Sequence, residues 1–259
     1  MPEVLIYIAV AAFGASIGSF LNVCIHRIPL KESVVSPGSR CPSCKEPIRS
    51  YDNIPVISYL LLLGRCRNCG VRISAEYPMV EALTAFFAVA LYARFGLSPD
   101  FFVYALLVSS LLVITFIDLH LRIIPDLISL PGIPVGFACS FFLVEPGVVN
   151  SLIGIVAGGG GLLAVALCYL WATGKDGMGG GDIKLMAMLG AFLGWKGVLL
   201  TIFIGSFAGA VIGGGLMLFF GKSSKYAVPF GPFLALGAVV HLFFGEEIIR
   251  MYLSGAWRL

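Results

Sequence analysis

Charge is what this sequence has least of: 17 lysines and arginines and 14 acids in 259 residues, 12% of the chain against 59% hydrophobic. So few charges cannot clothe a water-soluble surface, which excludes an ordinary soluble domain and leaves most of the chain to be solvated by lipid. A net charge of +3 is too small to hold a polyanion, so nucleic acid is not expected as a partner. Neither an internal repeat nor a low-complexity tract is visible, and no repeat architecture is expected. A basic start to the first apolar run is also missing. Glu3 precedes Val4–Val23, and although Ala9-Val10-Ala11 loosely resembles a cleavage site, this segment is expected to stay as a span.

What the sequence does have is apolar length. Stretches at 4–25, 78–95, 101–118, 126–144, 150–172, 183–195, 197–220 and 229–245 predict an all-α polytopic membrane bundle of about eight spans, interrupted by a polar insertion at 26–77. The domains read as 1–25, a first span; 26–77, the insertion; and 78–259, the membrane core. The run 183–195 is shorter than the roughly 17–25 residues of a perpendicular span, so it is expected to be re-entrant or lengthened by the glycine-rich backbone before it. Counted on the eight-span layout, 13 of 17 basic residues share one side. They are the eight in the insertion, with Arg122, Lys175, Lys184, Lys222 and Lys225; Arg94, Lys196, Arg250 and Arg258 fall opposite. The basic excess assigns the insertion to the cytoplasm. In the first span Ser16, Ser19, Asn22 and His26 recur at helical spacing, and that face is expected to point into the bundle. The clusters Gly158–Gly161 and Gly213–Gly215 are expected to let backbones approach closely.

Cys41-Pro-Ser-Cys44 and Cys66-Arg-Asn-Cys69 form two C-x-x-C pairs separated by the 21 residues 45–65, close to the spacing of a zinc ribbon. Disulfides or a redox dithiol compete, but a cytoplasmic site disfavours stable disulfides. An insertion of about 50 residues cannot build a large core, so a structural Zn2+ on Cys41, Cys44, Cys66 and Cys69 would explain its folding. Cys24, Cys139 and Cys168 lie in or beside apolar runs and are expected to pack.

Two acids stand where burial is costly. Asp118 closes an apolar run, and Asp182 follows Gly179-Gly180-Gly181 ahead of another. An even number of spans between them puts both on the cytoplasmic side. Glycines at 179 and 181 would let an extended peptide come close to Asp182. Two neighbouring carboxyls do not readily both ionise, so one can activate water for attack on an amide while the other keeps a proton. That is aspartic protease chemistry. Asp126 is expected to cap a helix, Asp176 to be solvated, Lys184 to anchor at the interface, and Glu81 to pair with a basic neighbour or contact a substrate amine. An acid-lined transporter is the rival reading.

These residues resemble the type IV prepilin peptidases, the bifunctional leader peptidase and N-methyltransferase family of GxGD aspartic proteases. The resemblance runs through Gly18 to Pro29, both cysteine pairs, Asn53-Ile-Pro55, Ile73-Ser74, Tyr77-Pro78, Glu81, Phe116-Ile-Asp-Leu119 and Gly179 to Lys184. It implies that Asp118 and Asp182 cut the basic leader from prepilins or type II secretion pseudopilins, in the bacterial inner membrane and facing the cytoplasm. It also implies N-methylation of the new N-terminus with S-adenosylmethionine as donor, with Gly64 and the cysteine-bearing insertion linked to that step. A peptidase without methyltransferase activity is the alternative. No nucleotide-type glycine fingerprint locates the donor. An aspartic dyad needs no histidine, so His26, His120 and His241 are given no catalytic role.

Overall fold

The computed structural model describes residues 2–143, 145–220 and 228–253; Lys222, Lys225 and Arg258 lie outside them. Among the described residues there is no strand, only two isolated bridges. The helices are α1 (Pro2–Arg27), α2 (Ile57–Leu61), α3 (Glu76–Phe95), α4 (Pro99–Leu121), α5 (Asp126–Cys139), α6 (Gly147–Ile155), α7 (Gly161–Thr173), α8 (Gly180–Phe220) and α9 (Gly231–Leu253). A π-helical stretch, Val156–Gly160, joins α6 to α7. Six of these stretches are long and apolar enough to cross a membrane: Glu3–Arg27, Glu76–Phe95, Pro99–Leu121, Gly147–Thr173, Gly180–Phe219 and Gly231–Tyr252. Each of the eight expected runs contains helix, although the run 126–144 leaves it at Cys139 and the run 229–245 enters it at Gly231. The count of six arises because 183–195 and 197–220 join in α8, and because α5 has only 14 residues.

The chain divides into two compact units between Val113 and Ile114, inside α4. In the first, α1 and α3 meet along Gly14 and Gly18. A Cβ on Gly18 would stand 2.6 Å from the Glu81 Cα, and one on Gly14 would stand 2.7 Å from the Ala88 Cβ. This is the small-residue contact by which membrane helices approach without a hydrophobic drive between them. Tyr7 closes the same interface edge-on against Tyr92, ring centroids 5.1 Å apart. The polar face expected on α1 is only partly inward. Asn22 is buried and Ser19 half-buried, whereas Ser16 and His26 are exposed. Ser16 returns its hydroxyl to the Ala12 carbonyl, and the glycines occupy the contact that the serine was assigned.

In the second unit every residue from Leu185 to Gly194 is buried. A helix apolar all round belongs in a core. That is why the 183–195 run is short: it is the centre of the unit, packed by α5, α6 and the π-helical stretch, rather than a span bathed in lipid. It is extended at its start by helical Gly180 and Gly181, and it ends at Gly194, whose φ of 68° and ψ of −178° break the helix. Gly154 and Gly190 cross backbone to backbone, so closely that a Cβ on either would overlap the other's carbonyl. Ser151 donates to the Ala191 carbonyl at 2.7 Å across the same crossing. Of the two glycine clusters, Gly158 and Gly159 pack against Met186 and Ala187 as expected, but Gly213, Gly214 and Gly215 meet nothing within 4 Å. They lie beyond the kink at Gly194.

Candidate active site and metal centre

Asp118 lies in the last turn of α4, 4% exposed. Its Oδ2 accepts the backbone N–H of Gly231, the first residue of α9, at 2.9 Å. A Cβ on Gly231 would sit 2.7 Å from that oxygen, so only glycine lets the amide come this close. Gly231 was missed in the sequence; its one local signal is Phe230-Gly231-Pro232, a glycine before proline at a helix start. Arg122, at φ 56°, ends α4 and donates its N–H to the Asp118 carbonyl.

Asp182 is the third residue of α8 and is half-buried. A carboxylate in a first helical turn is favoured by the free N–H groups there. Its backbone N–H donates to the Gly179 carbonyl at 3.2 Å, turning the glycine run into the helix. The three glycines differ in what they permit. Gly180 faces open space, Gly179 stands at ordinary contact from the Asp182 carboxylate, and a Cβ on Gly181 would lie 2.9 Å from that of Ile124. Gly181 thus lets the start of α8 seat against the segment after α4.

Lys184 reaches from α8 to both carboxylate oxygens of Asp126, each 2.8 Å from its Nζ. Asp126 makes no capping bond at the start of α5. The expected cap is replaced by this ion pair, which ties α5 to α8 two residues from Asp182. Asp176 is exposed in the loop before the glycines. His241 packs between Gly197 and Gly245, and His26 stacks on Tyr77.

In the first unit the sulfurs of Cys41, Cys44, Cys66 and Cys69 all lie within 4.8 Å of one another, with Cys41 Sγ and Cys69 Sγ at 3.8 Å. None is in a disulfide. Metal–sulfur bonds of about 2.3 Å in a tetrahedron put sulfurs roughly 3.8 Å apart, so the cluster fits a tetrahedral ion. Both pairs are built alike, an internal repetition that the residue types conceal. Cys41 N–H donates to the Glu46 carbonyl and Lys45 N–H to that of Cys41; Cys66 N–H donates to Val71 and Gly70 N–H to Cys66. Lys45 and Gly70 hold φ of 61° and 69° at matching positions, and bridges Arg40–Pro47 and Arg65–Arg72 close the two turns. The Glu46 N–H draws the Cys44 thiol below its ordinary value, aided by neighbouring sulfurs. Cys69 keeps a bond from the Val71 N–H that favours its thiolate, yet desolvation and the other three thiols push it up to about 11. Four thiolates this close repel one another, and a shared cation would offset that charge. Beside them the Arg67 guanidinium grips both Asp52 oxygens, at 2.7–3.0 Å, and holds that carboxyl below the usual range.

Gly64 holds φ of 66°, and a Cβ there would lie 2.9 Å from the Tyr59 ring. Its N–H donates to the Tyr59 carbonyl and its own carbonyl accepts from Ile73, both at 2.8 Å. The Glu81 carboxylate accepts the Val56 N–H at 2.7 Å and bonds Ser19.

Residues 12–95 match the family described as bacterial peptidase A24 N-terminal domain, and residues 105–214 match the type IV leader peptidase family. Three relatives carry the name prepilin leader peptidase/N-methyltransferase. That of Aeromonas salmonicida strain A449 is 36% identical, over 93% of this chain and 92% of the relative. That of Pseudomonas aeruginosa is 35% identical, over 94% and 92%. That of Bacillus subtilis strain 168 is 33% identical, over 94% and 96%. No solved structure matches the chain.

Proposed function

Because the chain belongs to the type IV leader peptidase family, we propose that it removes the leader of type IV prepilins or pseudopilins with Asp118 and Asp182, and then N-methylates the new N-terminus. What supports the cleavage step is a pair of acids at helix ends, each seated on glycine backbone: buried Asp118 accepts the Gly231 N–H at the start of α9, and Asp182 follows the glycine run at the start of α8. One carboxylate takes a proton from water as its oxygen bonds the scissile carbonyl carbon; the other carboxyl gives its proton to the carbonyl oxygen. The tetrahedral intermediate then breaks its C–N bond, and the leaving amine takes up a proton. The pair titrates as a unit, so acid and base are not divided between the two residues.

The methyl step follows on the freed amine. Its nitrogen lone pair bonds a methyl carbon, the carbon–sulfur bond of a sulfonium donor breaks, and the amine releases a proton. S-adenosylmethionine, a co-substrate, supplies that electrophilic methyl. The insertion is the part assigned to this step, with Gly64 shaping its turn and zinc on the four cysteines as a structural staple. The membrane in question is the bacterial inner membrane, and the acids face the cytoplasm if the short helix α5 also crosses, as in the eight-run layout that gathers the basic excess on that side. A prepilin anchored by its own hydrophobic helix would bring its leader to the acids by search in a plane.

Purified protein incubated with a prepilin and S-adenosylmethionine should yield a mature chain carrying one extra methylene mass at its N-terminus. Cleavage without added mass would reduce the proposal to a peptidase alone, and no cleavage would end it. The Lys184–Asp126 pair gives a second test. Being exposed, it is worth only about 0.2–1 kcal/mol of stability, but it sets the start of α8. Lys184→Asp should slow cleavage several-fold with little change in melting temperature, and adding Asp126→Lys should recover most of the rate. Failure of the reversed pair to recover would remove its positioning role.

A further inference from the structure

The insertion carries apolar side chains that nothing in its own unit covers. Leu60, Leu61 and Leu63 are 64%, 77% and 84% exposed, and Ile54 and Ile57 are exposed beside them. This is a contiguous segment around α2, bracketed by two non-glycine residues at positive φ, Val56 at 60° and Leu63 at 51°. The two reversals fold 56–63 into a short protruding turn. A β-branched residue at such a φ is costly, and here the backbone N–H of Val56 is held by the buried Glu81 carboxylate. Ser58, the inward residue of the turn, bonds the Ile54 N–H and the Tyr51 carbonyl. The turn is therefore an ordered structure that directs its leucines outward.

The Glu81 tether fixes the height of this turn. Glu81 is the sixth residue of α3, whose 20 residues make about 30 Å, the thickness of the hydrocarbon layer. The edge of that layer must fall close to Glu76, and Glu81 lies roughly 7–8 Å further along the axis. Apolar faces of interfacial segments sink about 5–10 Å into the headgroup and acyl boundary. A turn fastened at this level is placed to meet lipid, since α3 is long and apolar enough to cross the bilayer and the leucines are uncovered. Exposed Arg49 and Arg65 flank the leucines, and long basic side chains beside an apolar tip suit a layer of anionic headgroups.

We propose that the Ile54–Leu63 turn is a lipid-surface anchor, dipping Leu60, Leu61 and Leu63 into the leaflet and so pinning the cysteine cluster against the membrane. The proposal rests on the membrane-spanning fold and is independent of which reaction the chain catalyses. The test uses the full chain in nanodiscs of zwitterionic and anionic phospholipid, with p-benzoylphenylalanine placed singly at Leu60, Leu61 or Leu63, and at exposed Ser43 in the first cysteine turn as control. After irradiation, mass spectrometry should find lipid adducts several-fold more abundant at the leucines than at Ser43, with metal content unchanged. Using three separate sites guards against one substituted chain that fails to fold. Equal labelling at Ser43, no lipid adduct at any leucine, or crosslinks instead to a second copy of the chain or to added prepilin would overturn the proposal.

Discussion

Asp118→Asn and Asp182→Asn should each cut leader cleavage by about 10²–10⁴-fold, the contribution typical of a group that moves a proton in the transition state. Asparagine matches aspartate in shape, so the loss can be separated from misfolding. At position 118 the amide oxygen of asparagine can still accept the Gly231 N–H, now made by Oδ2 at 2.9 Å. At position 182 the neutral side chain forfeits an interaction with the helix N-terminus worth about 0.3–1 kcal/mol, too little to unfold the chain. The double variant should be scarcely slower than either single one, because groups acting as a unit fail together. The rates are read on a purified prepilin, with circular dichroism melts as the control for folding. A folded Asn variant at either site that keeps most of its rate would show that the two acids are not the catalytic pair, and would return the acid-lined transporter to the front.

The parts of this protein that could be read from sequence are those set by local spacing. Apolar run length gave the helices, because a chain without water partners must bond its own backbone. The cysteine pairs were legible because a C-x-x-C turn is complete within a few residues, and its partner is a copy of itself. What was not legible depends on residues far apart in the chain. Asp118 meets Gly231 across 113 positions, Lys184 meets Asp126 across 58, and Glu81 meets Val56 across 25. Nothing local to Asp126 distinguishes a helix cap from an ion pair, and nothing local to Glu81 reveals a backbone amide as its partner. The same holds for small residues. Gly158 and Gly213 look alike in sequence, and only the presence of Met186 beside the first makes it a contact. The serine spacing on α1 was real, but Gly14 and Gly18 take the interface because the closest approach goes to the smallest side chain.

Removing the metal should divide the two activities. Cys41→Ser leaves three thiolates around a site that structural zinc stabilises by about 10–16 kcal/mol in small domains, far more than the packing of so small an insertion can replace. Methyl transfer should then fall to background, together with bound zinc measured by mass spectrometry. Cleavage should persist within a few-fold, because Asp118, Asp182, Gly231 and Ile124 all belong to the second unit and none depends on a cysteine. The order of severity is also set by burial. Cys41 is buried and Cys69 exposed, so Cys41→Ser should be the harsher change. Water can stand in for a lost sulfur at position 69, whereas at 41 the hydroxyl must sit where solvent does not reach. A chelator should attack from the Cys69 side and reproduce the Cys41→Ser pattern over time, with zinc restoring methylation. Parallel loss of cleavage and methylation in a chain that remains folded would instead make the insertion part of the peptidase, since one metal cannot then serve the second reaction alone.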